Sequence, residues 1–149
     1  MNSKNKNVWI AGLVIVIVAV AAIVFFLPHK QTTEASNLDL SKTYIADIVV
    51  KDYGTIEVEL DPKEAPLTCE NFIQLANDGF YDGLTFHRIM KGFMIQGGDP
   101  NHNGTGGSDQ TVKGEFSSNG VENNLSHVRG TISMARSSDK DSASSQFFI

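Results

Sequence analysis

A mainly β domain preceded by one membrane-spanning helix is the fold class this sequence predicts, and three observations carry it. Val8 to Leu27 form twenty consecutive positions without a charge. Tyr44 to Val50 and Thr55 to Leu60 read as paired strands around a turn. A second pair of short extended pieces flanks Lys91-Gly92, and Gly97-Gly98 ends it.

Twenty uncharged, apolar residues in helical form reach across the roughly 30 Å hydrocarbon core of a bilayer. A core helix of a soluble domain would carry a polar face, and a cleaved leader would have a shorter apolar region followed by small residues. Here Phe25-Phe26-Leu27-Pro28 follows instead. Residues 1–7 are a short basic N-terminus, with Lys4 and Lys6, and Trp9 sits where an interfacial aromatic belongs. Residues 8–27 are therefore expected to be an uncleaved signal anchor that leaves the domain on the extracytoplasmic side of the cell membrane. Residues 28–41 are polar and aperiodic, as suits a linker.

In the first hairpin Ile56, Val58 and Leu60 alternate with Thr55, Glu57 and Glu59, and Lys51-Asp52-Tyr53-Gly54 supplies the turn. Pro66 opens a helix to about Asn77, with Cys69, Phe72, Leu75 and Ala76 on one face and Gly79 as its stop. Next, Phe86, Arg88 and Met90 alternate with His87 and Ile89 before the Lys91-Gly92 turn, and Phe93-Met94-Ile95-Gln96 is the returning strand. Residues from Gly97 to Ser126, rich in Gly, Asn, Ser and Asp, read as a long loop of the kind that is usually functional. Gly130 to Met134 and Gln146 to Ile149 read as strands, with a polar loop between them.

Composition narrows the function. The chain has 149 residues, 41% of them hydrophobic and 19% charged, which suits one globular domain with an appendage. Residues 28–149 hold ten basic against seventeen acidic side chains, so a nucleic-acid partner is not expected. Cys69 is the single cysteine, which excludes an internal disulfide framework. A nucleophilic pairing of Cys69 with His87 has nothing nearby to activate the thiol. Asp99-x-Asn101-x-Asn103-Gly104 imitates the start of a calcium loop, but Gln110 stands at the position of the bidentate glutamate. His102 and His127 lack the carboxylate companions of a metal site. No metal and no cofactor is expected.

Arg88 is the residue of most interest. A guanidinium beside Phe and Met needs a carboxylate partner or a task. On spacing alone it is read as salt-bridged to Asp99 or Glu115, or as lying over the core with its head in water.

The run Phe86-His87-Arg88-Ile89 through Gly92-Phe93-Met94-Ile95-Gln96-Gly97-Gly98-Asp99 resembles the signature of the cyclophilin-type peptidyl-prolyl isomerases. So, in the same order, do Asn103-Gly104-Thr105-Gly106-Gly107, Gly114-Glu115-Phe116, Leu125-Ser126-His127, Gly130 to Arg136 and Ser144 to Ile149. The resemblance covers residues 42–149 and implies a cyclophilin-like antiparallel β-barrel with a capping helix. Relative to the family pattern the chain is expected to be truncated at the C-terminus and the barrel incomplete, since a tryptophan, a histidine, a second helix and the closing strands have no counterpart here.

By the same resemblance, the activity is isomerisation of X-Pro bonds in exported, partly folded polypeptides. Arg88 would be the catalytic donor, because a twisted amide recovers a nitrogen lone pair that a fixed donor stabilises. Phe93, Met94 and Phe148 would line the proline pocket. Gln96, Gln146 and the main chain of Ala135 and Arg136 would bind the substrate backbone, with Gly104 lining the adjacent groove. Cyclosporin-like ligands are a further implied partner. Family members usually have asparagine where Arg136 stands and alanine where Ser137 stands, so the flanking subsite is expected to differ. The alternatives are a non-catalytic binder of proline-containing segments and an inactive remnant.

Overall fold

The computed structural model describes residues 30–32 and 36–149. The anchor expected at residues 8–27 lies outside the described residues, among which no helix is long and apolar enough to cross a membrane. Part of the expected linker takes regular form: strand β1 (Lys30–Thr32) pairs in parallel with β6 (Gln110–Val112).

Strands β2 (Tyr44–Val50) and β3 (Gly54–Leu60) form the expected hairpin, in register from Tyr44 opposite Leu60 to Val50 opposite Gly54. Asp52 and Gly54 take positive φ, 65° and 111°, which lets so short a connection reverse the chain. Val58 and Leu60 are buried, and Tyr44, Ala46, Ile48 and Ile56 pack against them.

Helix α1 (Pro66–Asn77) begins at its proline, whose missing N–H costs nothing at the first helical position. Cys69 and Phe72 are buried and Ile73 joins the core, whereas Ala76, expected on that face, is exposed. The helix stops at Gly79 (φ 72°), where the N–H of Phe80 donates to the carbonyl of Leu75 at 2.9 Å. No side chain caps the N-terminus locally. Instead Glu115 accepts from the N–H of Leu67 (2.9 Å) and of Thr68 (2.8 Å), so a loop carboxylate satisfies two orphan donors and sits on the positive end of the helix dipole.

Strands β4 (Arg88–Met90), β5 (Met94–Gly97), β7 (Ser133–Met134) and β8 (Phe147–Phe148) form a second sheet in the order β4-β5-β8-β7, antiparallel throughout. The last two are shorter than expected. Among the described residues the strands form three separate ladders rather than one closed barrel. Phe147 carries this sheet into the core, its ring 5.6 Å from Phe72 and 5.8 Å from Tyr81, both edge-on. Fully burying such a side chain contributes on the order of 1.5 to 3 kcal/mol.

Candidate active site

Period-two alternation decides which side chains meet on the second sheet. Arg88 stands opposite Gln96, Gln96 opposite Phe148 and Phe148 opposite Ser133, so one transverse row crosses all four strands. Phe147, one residue earlier, faces the core. Met90 and Met94 share the face of the row, two residues along their strands, and Met94 is buried.

Along the row runs a relay of hydrogen bonds. Arg88 Nη1 donates to Gln96 Oε1 at 3.4 Å, a long bond, while Nη2 reaches Met90 Sδ at 3.2 Å. Gln96 Nε2 donates to Gln146 Oε1 at 2.8 Å. Gln146 Nε2 then donates to the carbonyls of Gly104 (3.2 Å) and Gly106 (2.7 Å). Carbonyls at one end and a guanidinium at the other admit one orientation of both amides. Arg88 is exposed, so donors remain free for a ligand. The partners expected for it on spacing are engaged elsewhere: Glu115 on helix α1, and Asp99 within its own loop.

The loop after β5 is organised by Asp99, which is fully buried. Its carboxylate accepts from the N–H groups of Asn101 (2.8 Å), Asn103 (3.0 Å) and Gly104. Burial alone would raise its pKa, but the amides of Asn101, Asn103, Gly104 and Gly106 outweigh that and hold it below the usual carboxylate value. Gly98 (φ 81°) is obligatory beside it, because a methyl there would collide with the carbonyl oxygen of Ser145. Ser145 in turn is fully buried, donating to the carbonyl of Gly98 at 2.7 Å and accepting from the N–H of Ser108 at 3.1 Å. These contacts position Gly104 and Gly106 at the end of the relay.

Beside the relay lies a groove of about 420 Å³ between the Gly104–Ser108 loop and the segment from Ala135 to Ser144. Gln96, Gly104, Ala135, Arg136 and Gln146 all line it. The N–H of Ala135 donates to the carbonyl of Gln146 at 2.9 Å, which fixes that wall.

Phe93 and Gln146 stand apart from the other expected site residues. Phe93 lies in the turn between β4 and β5, 71% exposed and outside the row, because the register gives the inward position to Met94. Both N–H groups of Gln146 are committed to loop carbonyls, so Gln146 positions its neighbours and has no donor left for a peptide, whereas Gln96 keeps one.

His127, read from sequence as a surface or structural residue, stacks on Phe148 (centroids 5.8 Å, 22° apart) and its Nε2 lies 3.0 Å from Ser133 Oγ. Asp99, Glu115 and Ser145 fall within the family-like blocks, but neither those blocks nor the local pattern assigned them or Met90 a supporting role. Cys69 is no nucleophile: burial first, then the nearby charges of Glu115 and Asp61, push its thiol up to about 12. The ring nitrogens of His87 are buried without a hydrogen-bond partner among the described residues.

The fold and site define a mainly β protein that presents an exposed arginine, oriented by an amide relay that runs to the edge of an open groove. The family model described as cyclophilin type peptidyl-prolyl cis-trans isomerase/CLD matches residues 45–149, and the chain belongs to that family. It is 50% identical over 101 residues to peptidyl-prolyl cis-trans isomerase B of Bacillus subtilis, covering 68% of this chain and 67% of that protein. It is 39% identical over 137 residues to peptidyl-prolyl cis-trans isomerase A of Dickeya dadantii, covering 89% and 63%. A crystal structure of a Cryptosporidium parvum cyclophilin type peptidyl-prolyl cis-trans isomerase in the presence of the dipeptide Ala-Pro superposes with a TM-score of 0.57 at 30% identity, covering 70% of this chain and 66% of that one. The chain thus spans about two thirds of the length of these relatives.

Proposed function

We propose that this chain is a peptidyl-prolyl cis-trans isomerase whose catalytic donor is Arg88. The observation that carries the reading is the relay that holds an exposed, permanently charged guanidinium on the same face of the sheet as Phe148 and links it through Gln96 and Gln146 to the groove. Rotation about an X-Pro bond faces a barrier of ~18 to 20 kcal/mol from amide resonance, and no bond to a heavy atom breaks. The site therefore needs a preorganised donor and an apolar surface, not a nucleophile. As the amide twists, its nitrogen turns into an acceptor, and Arg88 stabilises that state more than either planar one. Phe148 and Phe93, over the buried Met94, supply apolar surface for the proline ring, and Gln96 a further N–H for the substrate backbone. The same row is where a cyclosporin-like ligand would sit.

The substrates in this reading are exported, partly folded polypeptides met outside a membrane to which residues 8–27 tether the domain. The uncharged run, the lysines before it and Trp9 support the tether.

Exchange spectroscopy on a proline peptide, run alongside an affinity measurement with the same peptide, tests the activity. Accelerated cis-trans exchange is expected. Binding without exchange would establish the second reading, a non-catalytic proline-peptide binder.

A further inference from the structure

Among the described residues the groove beside the relay is lined by Gly, Ala, Ser, Thr and Gln, with one charged residue, Arg136, and no carboxylate. Arg136 is held rather than free. Its guanidinium carbon lies 5.3 Å from the centre of the Phe116 ring, and Nη1 donates to the carbonyls of Ser137 (2.8 Å) and Ser138 (3.4 Å). The adjacent carboxylates point to main-chain and amide donors: Asp139 accepts from the N–H of Asp141, and Asp141 from Gly114 N–H and Asn119 Nδ2, each at 2.8 or 2.9 Å. A guanidinium has five N–H donors, so fixing one nitrogen leaves the remainder of the fork directed by its stacking and still able to take a carboxylate.

We propose that Arg136 makes this groove selective for an acidic side chain, so that the favoured substrates carry Asp or Glu within three residues of the proline. The selectivity rests on the reading of the groove as the peptide site proposed above. Gln146 links the two regions, since it lines the groove and receives the hydrogen bond of Gln96 in the Arg88 row. An extended peptide advances roughly 3.3 Å per residue, so one seated at the row enters the groove within a few residues. Pre-fixing the guanidinium lowers the side-chain entropy that an exposed ion pair ordinarily costs. Because the chain as a whole is acidic, at −5, this positive spot also separates acidic peptides from an otherwise repulsive surface.

The test uses proline peptides that differ only by Glu, Gln or Lys at each position flanking the proline, with affinity and exchange rate measured on the full chain. At one position the Glu peptide should bind about 5-fold more tightly than the Gln peptide at low salt, and the ratio should shrink at high salt. Arg136→Gln should bring the Glu to Gln ratio to one, and Arg136→Glu should transfer the preference to the Lys peptide. Binding and exchange of all peptides with equal ratios would overturn the acidic preference and leave the isomerase reading intact. If no peptide of the panel binds or exchanges, the reading of the groove falls, and the preference with it.

Discussion

Gln96 and Gln146, fifty residues apart in the chain, share a 2.8 Å hydrogen bond that joins the arginine end of the sheet to the glycine loop. Gln146→Leu would leave Gln96 Nε2 and the carbonyls of Gly104 and Gly106 without this partner. A loss of roughly 1 to 3 kcal/mol in unfolding free energy is expected, read by denaturant titration. The exchange rate should fall more steeply than peptide affinity, because the change acts on the aim of Arg88 and not on the apolar surface.

Arg88→Ala should slow X-Pro exchange by roughly 10² to 10³-fold while peptide affinity changes little, by analogy with loss of one preorganised donor. Arg88→Lys should not restore the rate, since an ammonium lacks the planar fork that reaches Gln96 and Met90 together. An active parent matched by Arg88→Ala would refute this mechanism.

Asp99→Asn tests the loop hub. An amide cannot accept with both ends, so at least one main-chain N–H loses its partner, and roughly 2 to 3 kcal/mol of stability should go with it. The folded pKa of Asp99 lies below its unfolded value, near 3.9. Its contribution is therefore present above about pH 4 and is lost as pH falls from there through the lowered folded value. Acid titration followed by circular dichroism should show the variant less stable at pH 7 and the gap to the parent closing below about pH 4; a gap independent of pH would count against the assignment.

The proposed tether predicts that the protein stays with the membrane fraction through high-salt washing and that external protease removes the domain from intact cells. Release by salt, or a mature N-terminus mapped beyond residue 28, would remove the anchor from the account.

What the residues disclosed in advance follows from where periodicity operates. The β2–β3 hairpin, α1 and its Gly79 stop, and the β4–β5 pair each repeat a local pattern, so their bounds emerged within a residue or two. The Gly97–Ser126 loop has no period. Its order comes from Asp99 gathering N–H groups within five residues and from Ser145 and Glu115 meeting donors tens of residues away, and nothing local announces the distant meetings. The short β1 and β6 pairing was missed for the same reason. At the site, family resemblance placed both Phe93 and Met94 in the pocket, and the register buries Met94 in the sheet while leaving Phe93 exposed in the turn. Spacing also offered Arg88 two carboxylates that prove to be engaged with amides.

Glu115 has a consequence for how the chain folds. Its hydrogen bonds to Leu67 and Thr68 close loops of 48 and 47 residues, a large entropic step for two contacts. The first turn of the helix accordingly lacks its partner until the glycine-rich segment has arrived, and that segment lacks an anchor until the helix exists. Ordering of the two is therefore expected to be coupled and to follow the local β2–β3 hairpin, which pulse-labelled amide exchange of Leu67 and Thr68 would read.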